Sequence, residues 1–256
     1  MADQGDSMLT EERWASILDI VEREKAVSVP ELEAVLGVSA STIRRDLTQL
    51  NRMGKLVKVH GGATSIETQY VGKDITMEEK YSMNNEEKQT IGRYAAGLIG
   101  PDDFVYIDAG TTTECLVYNI REMRATYVTN SLTHALKLIH KGCRTFLPGG
   151  EVKKTTEAIV GGDAIGYVSR LHFTIGFWGT NGVTYETGFT TPDPNEALIK
   201  QIAMEQCTNR YILCDRSKFS VVLPITFAAF DTATIITGKL TDSKYKKYEN
   251  IVEVTK

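Results

Sequence analysis

Little in this sequence invites covalent, metal or membrane chemistry. Its four cysteines, Cys115, Cys143, Cys207 and Cys214, are scattered without a Cys-x-x-Cys spacing, so neither a zinc ligand set nor a disulfide framework follows. They read as buried free thiols of a reducing cytoplasm. No apolar run approaches the roughly 20 residues that span a bilayer. The opening MADQGDSM lacks the basic region and apolar stretch of a secretory signal, and residues 1–7 are expected to be a leader before a natural start near Met8. Six prolines are too few for a proline-rich or collagen-like chain. A global excess of positive charge is also missing, because 29 Lys and Arg face 33 Asp and Glu for a net charge of -4. An electrostatic footprint belongs to one face, however, and a small basic module fits inside that total. What remains is a globular composition, 42% hydrophobic and 24% charged over 256 residues. That length carries one large domain, or a medium domain with a small companion.

The companion is legible at the front. Trp14, Ile17, Leu18 and Val21 recur at helical spacing behind Thr10 as a cap, with Glu11 and Glu12 in the first turn. A second helix is predicted at SVPE, where Ser28 and Glu31 have the spacing of a capping box and Leu32, Val35 and Leu36 form a buried stripe ending at Gly37. A third starts after Ser39 and puts Ile43, Leu47 and Leu50 on one face. Three short helices with a tight glycine turn form a helix-turn-helix.

At 100° per residue, Ser41, Arg45, Thr48 and Arg52 lie opposite that stripe with Arg44 on the flank, a polar face suited to a major groove. Asp46 falls nearer the buried side, where it fixes a neighbouring Arg or a helix end. From Ser41 to His60 there are five basic residues, Arg44, Arg45, Arg52, Lys55 and Lys58, against Asp46 alone. KLVKVHGGA then reads as an alternating strand closing in Gly61 and Gly62, one arm of a wing, with Lys58 and His60 facing phosphates or a minor groove. Double-stranded DNA is the expected partner: Arg45 for a base edge, Arg44 for a base or phosphate, Ser41 and Thr42 for phosphates at the helix start. The bland alternative is a solvated helical cap domain.

We expect a winged helix-turn-helix over 8–63, a linker over 64–85 and a larger Rossmann-like α/β domain over 86–256. In the last, FVYID, ATYVTN, RTFLPGG, FTIGFWG, RYILCD and ATIIT alternate with helical segments, including ones near 157–170 and 194–208. Ligands of such sheets gather beyond the carboxyl ends of the strands. DAGTTT supplies Gly110 for a tight turn or close approach, and Thr111, Thr112 and Thr113 for hydroxyls at a helix start that favours anions. Asp108 would repel a phosphate and suits sugar hydroxyls instead. Asn130, Gly149, Gly150 and the run GTNG follow apolar runs in the same way. Lys200 and Lys218 are candidate cations, although Lys200 equally suits an exposed pair with Glu196. Trp178 is assigned to packing. His134, His140 and His172 share no metal-ligand spacing, and neither a metal nor a cofactor is expected.

VSASTIRRDLTQL followed by GKLVKVHGGA, and then DAGTTT, VTNS, LPGG, VGGDA, GTNGV, GFTTPDPNEALIK and DRSKF in that order, resemble the DeoR family of bacterial transcriptional regulators from Met8 onward. The resemblance implies a sensor domain related to sugar-phosphate isomerases that binds a phosphorylated sugar, and a homodimer or homotetramer held by the large domain. It implies DNA recognition by Thr42, Arg44 and Arg45, with Lys58 where an Arg is common, and effector binding at Asp108, Gly110, Thr111, Thr112, Asn130, Lys200 and Lys218. The expectation is a cytoplasmic repressor of a carbohydrate operon, relieved by a sugar phosphate. The alternatives are an isomerase with an appended DNA-binding domain, in which Asp108 or Glu186 would act as base with Lys200 or Lys218; an effector-dependent activator; and a constitutive DNA-binding scaffold.

Overall fold

In the computed structural model the Ser28 and Glu31 pair closes as a capping box: the Ser28 amide donates to Glu31 Oε2 at 2.7 Å while Ser28 Oγ accepts the Glu31 amide at 3.4 Å. The structure describes residues 10–24, 26–53, 55–59, 61–64, 69–70 and 83–255. These fall into two compact units, within residues 1–70 and 71–256. The expected leader and most of the expected linker lie outside the described residues.

The first unit comprises α1 (Thr10–Glu24), β1 (Ala26–Ser28), α2 (Val29–Leu36), α3 (Ala40–Arg52), β2 (Val57–Val59), β3 (Gly62–Thr64) and a short β4 (Gln69–Tyr70). Helix α2 stops because Gly37 enters the left-handed region at φ 65°. The buried stripes of the three helices, Ile17, Val21, Leu32, Ile43, Leu47 and Leu50, meet in one core. Strands β1, β3 and β2 form an antiparallel sheet in that order, so the wing is a hairpin with a third strand borrowed from the α1–α2 connection. Its two glycines have separate causes. Gly61 has φ 84°, and a Cβ on Gly62 would sit 2.2 Å from the Val27 carbonyl oxygen.

The second unit is built on seven strands: β5 (Phe104–Ile107), β6 (Thr126–Thr129), β7 (Arg144–Phe146), β10 (Phe173–Gly179), β13 (Cys207–Leu213), β16 (Thr234–Thr237) and β17 (Ile251–Glu253). They pair in parallel in the order β17-β16-β13-β10-β5-β6-β7. Both faces are buried: Val105 and Ile107 belong to one core and Tyr106 to the other, which is why these strands read as continuous apolar runs. Helices α4 (Asn85–Ala96), α5 (Thr111–Asn119), α6 (Leu132–His140), α7 (Gly162–Val168) and α8 (Pro194–Glu205) pack around the sheet. A Cβ on Gly92 of α4 would fall 2.5 Å from the backbone of Cys115 in α5.

One expectation about local structure is corrected. The segment near 157–170 is not one helix: Ile159–Val160 is a strand, β9, paired antiparallel with β8 (Glu151–Val152), and the helix starts at Gly162. Burial of the β-branched pair Ile159 and Val160 accounts for the difference. The GVTYETGFTT run forms a hairpin of β11 (Gly182–Thr184) and β12 (Gly188–Thr191), extended by β15 (Ile225–Ala228) into a separate antiparallel sheet. All four cysteines are buried free thiols. Among the described residues no helix is long and apolar enough to cross a membrane, and no cluster of metal-ligating side chains occurs.

Candidate functional site

On α3, Ser39 caps the helix by accepting the Thr42 amide at 3.4 Å, and its hydroxyl lies 2.9 Å from Ser41 Oγ and 3.1 Å from Thr42 Oγ1. Ser41, Arg44 and Arg45 are exposed and Thr42 and Thr48 half-buried. Neither arginine makes a hydrogen bond or ion pair with a described residue, so both guanidinium forks are free to donate outward. Thr48 is committed differently, donating to the Arg44 carbonyl and accepting from Lys58 Nζ, both at 2.7 Å. The Lys58 amide also donates to Asn51 Oδ1 at 2.8 Å, which fastens the wing strand to the helix. His60 and the side chain of Arg52 lie outside the described residues.

Asp46 faces inward, as its position on the wheel predicts. It accepts Arg13 Nε at 2.6 Å, Arg13 Nη2 at 3.2 Å and Trp14 Nε1 at 2.9 Å. Burial would raise its pKa, but these hydrogen bonds outweigh burial and hold the carboxyl below its ordinary range. The one acid of the helix is thereby withdrawn from the face that carries Arg44 and Arg45.

In the second unit, the chain leaves β5 outward through β6 and β7, and leaves β10 outward in the other direction through β13, β16 and β17. The sheet therefore has its topological switch between β5 and β10, where a crevice opens beyond the strand ends. A cavity of about 60 Å³ lies there, lined by Lys88, Ala109, Gly110, Thr111, Thr112, Thr156, Gly179, Thr180, Asn181, Glu196, Lys200 and Lys218, with Met83 alongside. Thr111 and Thr112 open α5, so their amides point outward from its positive end. Lys88, only 3% exposed, donates to Thr111 Oγ1 at 3.1 Å.

Gly110, Thr111, Thr112, Lys200 and Lys218 thus come together as the sequence pattern suggests. Asp108 does not line the cavity: it is 1% exposed, pairs with Lys200 Nζ and accepts the Gly179 amide at 3.1 Å. Burial pushes its carboxyl up, and the Lys200 ammonium acts against that. The pairing rules out an exposed contact between Lys200 and Glu196, since Lys200 is buried and also donates to the Gly179 carbonyl at 3.2 Å. Thr113 is fully buried and donates to the Gly110 carbonyl at 2.9 Å. Asn130 accepts the Ala109 amide at 3.0 Å, bracing the loop from behind. Gly149 and Gly150 are not in the lining. A Cβ on Gly150 would meet the Val160 carbonyl oxygen at 2.6 Å, so close packing against β9 explains that glycine. Trp178 is fully buried and stacks on Tyr106 at 5.4 Å, in the core. Glu186 is exposed on the β11–β12 turn, away from the lining.

Lys88, Thr156 and Glu196 are functional candidates that the sequence did not single out as a set. Glu196 takes Lys153 Nζ at 2.9 Å and Thr156 Oγ1 at 2.7 Å on its Oε1. Lys153 also reaches Asp193 at 3.0 Å. Burial lowers the Lys153 ammonium, but the hydrogen bond it donates to Glu196 reverses this and its pKa ends raised.

Two family models cover most of the chain: the DeoR-like helix-turn-helix domain matches residues 13–69 and the DeoR C terminal sensor domain residues 83–239. The chain is 41% identical over 249 residues, 97% of each protein, to an uncharacterized HTH-type transcriptional regulator, FruR, of Bacillus subtilis. It is 34% identical over 250 residues to the lactose phosphotransferase system repressor of Staphylococcus epidermidis, covering 95% of this chain and 98% of that one. Superposition on ribose 5 phosphate isomerase A of Neisseria gonorrhoeae covers 56% of each chain at 13% identity, with a TM-score of 0.41. An exposed basic helix on one unit, a polar crevice in the other and a full-length match to regulators agree: the chain belongs to the DeoR family of transcriptional regulators, with a helix-turn-helix DNA-binding domain and a C-terminal sensor domain.

Proposed function

We propose that this regulator represses a carbohydrate operon in the cytoplasm and releases its operator when a phosphorylated sugar enters the crevice beside Thr111 and Thr112. In this reading residues 8–63 read DNA, 86–256 sense the ligand and 64–85 join them. The observation that carries the proposal is the cavity itself: the start of α5 supplies hydroxyls and amides, and Lys88, Lys200 and Lys218 converge on the same space. That combination is an anion cradle with polar groups left for a sugar. Ligand and DNA are then linked through differential affinity for two arrangements of the chain. Ser41, Thr42, Arg44, Arg45, Thr48 and Lys58 are the proposed DNA contacts.

A homodimer or homotetramer would present paired reading helices to two half-sites. In support, Leu132, Leu136 and Ile139 of α6 are exposed at helical spacing, beside Phe146 on the sheet's edge strand β7. Exposed Arg144 and Glu151, without ion-pair partners among the described residues, give a second copy opposite charges to meet.

The test is an anisotropy titration of DNA from upstream of the protein's own gene, at fixed salt, against a panel of sugar phosphates. Loss of DNA affinity with one sugar phosphate is expected. A gain instead would make the protein a ligand-dependent DNA binder, and turnover above about 1 per second would make it an enzyme.

A further inference from the structure

Glu196 is out of place in a lysine-lined cradle. It is 8% exposed, faces the cavity, and receives both of its side-chain hydrogen bonds on one oxygen, Oε1, from Lys153 and Thr156. Its other oxygen, Oε2, has no partner among the described residues. A carboxylate oxygen left open toward a cavity is an acceptor available to a donor on a bound ligand. Asp108, the other carboxylate of the crevice, cannot serve, since it is committed to Lys200 and the Gly179 amide.

We propose that Glu196 is the specificity-determining residue of the sensor: its Oε2 accepts a hydroxyl of the ligand beyond the phosphate and excludes ligands whose far end is anionic. This rests on the reading of the crevice as a sugar-phosphate site and names its ligand class, a monophosphate carrying a neutral polyol. The lining supplies positive charge from Lys88, Lys200 and Lys218 and, one helical turn from Lys200, the negative charge of Glu196. A phosphate with a hydroxylated tail satisfies both. A phosphate with a carboxylate tail sets like charges together in a low-dielectric space, a penalty of the kind that specificity requires. Inorganic phosphate has no hydroxylated tail for Oε2, so its binding through the lysines should depend little on Glu196.

Isothermal titration of the full chain with pentose and hexose monophosphates, phosphoglycerate and inorganic phosphate tests this. The native protein should bind at least one sugar monophosphate tenfold or more tighter than phosphoglycerate. Glu196→Gln, which keeps the shape and a carbonyl for Thr156, should weaken that sugar monophosphate at least tenfold, leave inorganic phosphate within twofold, and bring phosphoglycerate closer to the sugar. Retained phosphate binding shows that the variant is folded. Thr156→Val, which frees one anchor of Oε1, should move the same ratio in the same direction by less. Equal sugar affinity in native and Glu196→Gln proteins, or a native protein that prefers phosphoglycerate, overturns the assignment while leaving a phosphate sensor in place. Failure of the native chain to bind any sugar phosphate overturns the sensor reading as well.

Discussion

Arg44 and Arg45 stand in solvent without partners among the described residues, whereas Asp108 and Lys200 are shut away with each other. The proposed reading helix and the proposed ligand crevice thus keep their charges in opposite ways. DNA brings its own dense charge to a convex surface, so free guanidinium groups on a well-anchored helix suffice. A small ligand must be surrounded, and a crevice that waits for it has to satisfy its own buried charges with matched partners. Substitutions in the two places should accordingly fail in different ways: loss of recognition with the fold intact on α3, loss of fold and recognition together where a buried charge pair of the second unit is broken.

The sharpest break of that contrast is Asp108→Ala. It strands the Lys200 ammonium in the interior, and unfolding of the second unit, followed by Trp178 fluorescence in a Trp14→Phe background, should show a loss of about 3–5 kcal/mol. A loss below about 1 kcal/mol would mean that the pair is solvated and that the contrast is wrong. Next in size is a pH effect from His134, which burial holds neutral with its pKa lowered from 6.5 to about 4. A depressed histidine contributes fully above its unfolded value, and its contribution is lost as pH falls from there through the folded value. Over that window the second unit should lose about 3 kcal/mol, and His134→Phe should flatten the urea midpoint against pH by that amount. Arg45→Ala should cost about 1–3 kcal/mol in discrimination between operator and non-operator DNA while the melting transition stays put. Unchanged discrimination would remove Arg45 from the base-reading role. The smallest effect expected is from Thr112→Ala: effector binding weakens by about 1 kcal/mol, with DNA binding in the absence of effector intact. Separately, Leu136→Asp should halve the sedimenting mass if α6 forms the interface between copies.

The same contrast explains what was legible. Exposed function follows local rules, so Ser39, Asp46 and the Arg44–Arg45 pair could be placed by counting around one helix. The strand ends beyond β5, β10 and β13 were legible too, because a buried parallel strand writes itself as an apolar run. Lys88 and Glu196 were not. Each sits among ordinary helical neighbours, EEKQT and PNEAL, and becomes special only through residues far along the chain: Thr111, 23 positions away from Lys88, and Lys153, 43 positions away from Glu196. Strand order, which decides where the crevice lies, is likewise a property of pairing and not of any one segment. Gly150 marks the opposite case, a signal that looked like ligand chemistry and records the close approach of β9.

The Asp46 anchor has a consequence for how α3 can be redesigned. Arg13, Trp14 and Asp46 fix α3 from behind, using none of the side chains that point outward. Arg44 and Arg45, whose side chains make no hydrogen bond or ion pair with a described residue, can change without loosening the helix, so the proposed base-reading positions are separable from the scaffold that holds them. A designer can therefore rewrite Arg44 and Arg45 without touching the anchor that holds α3.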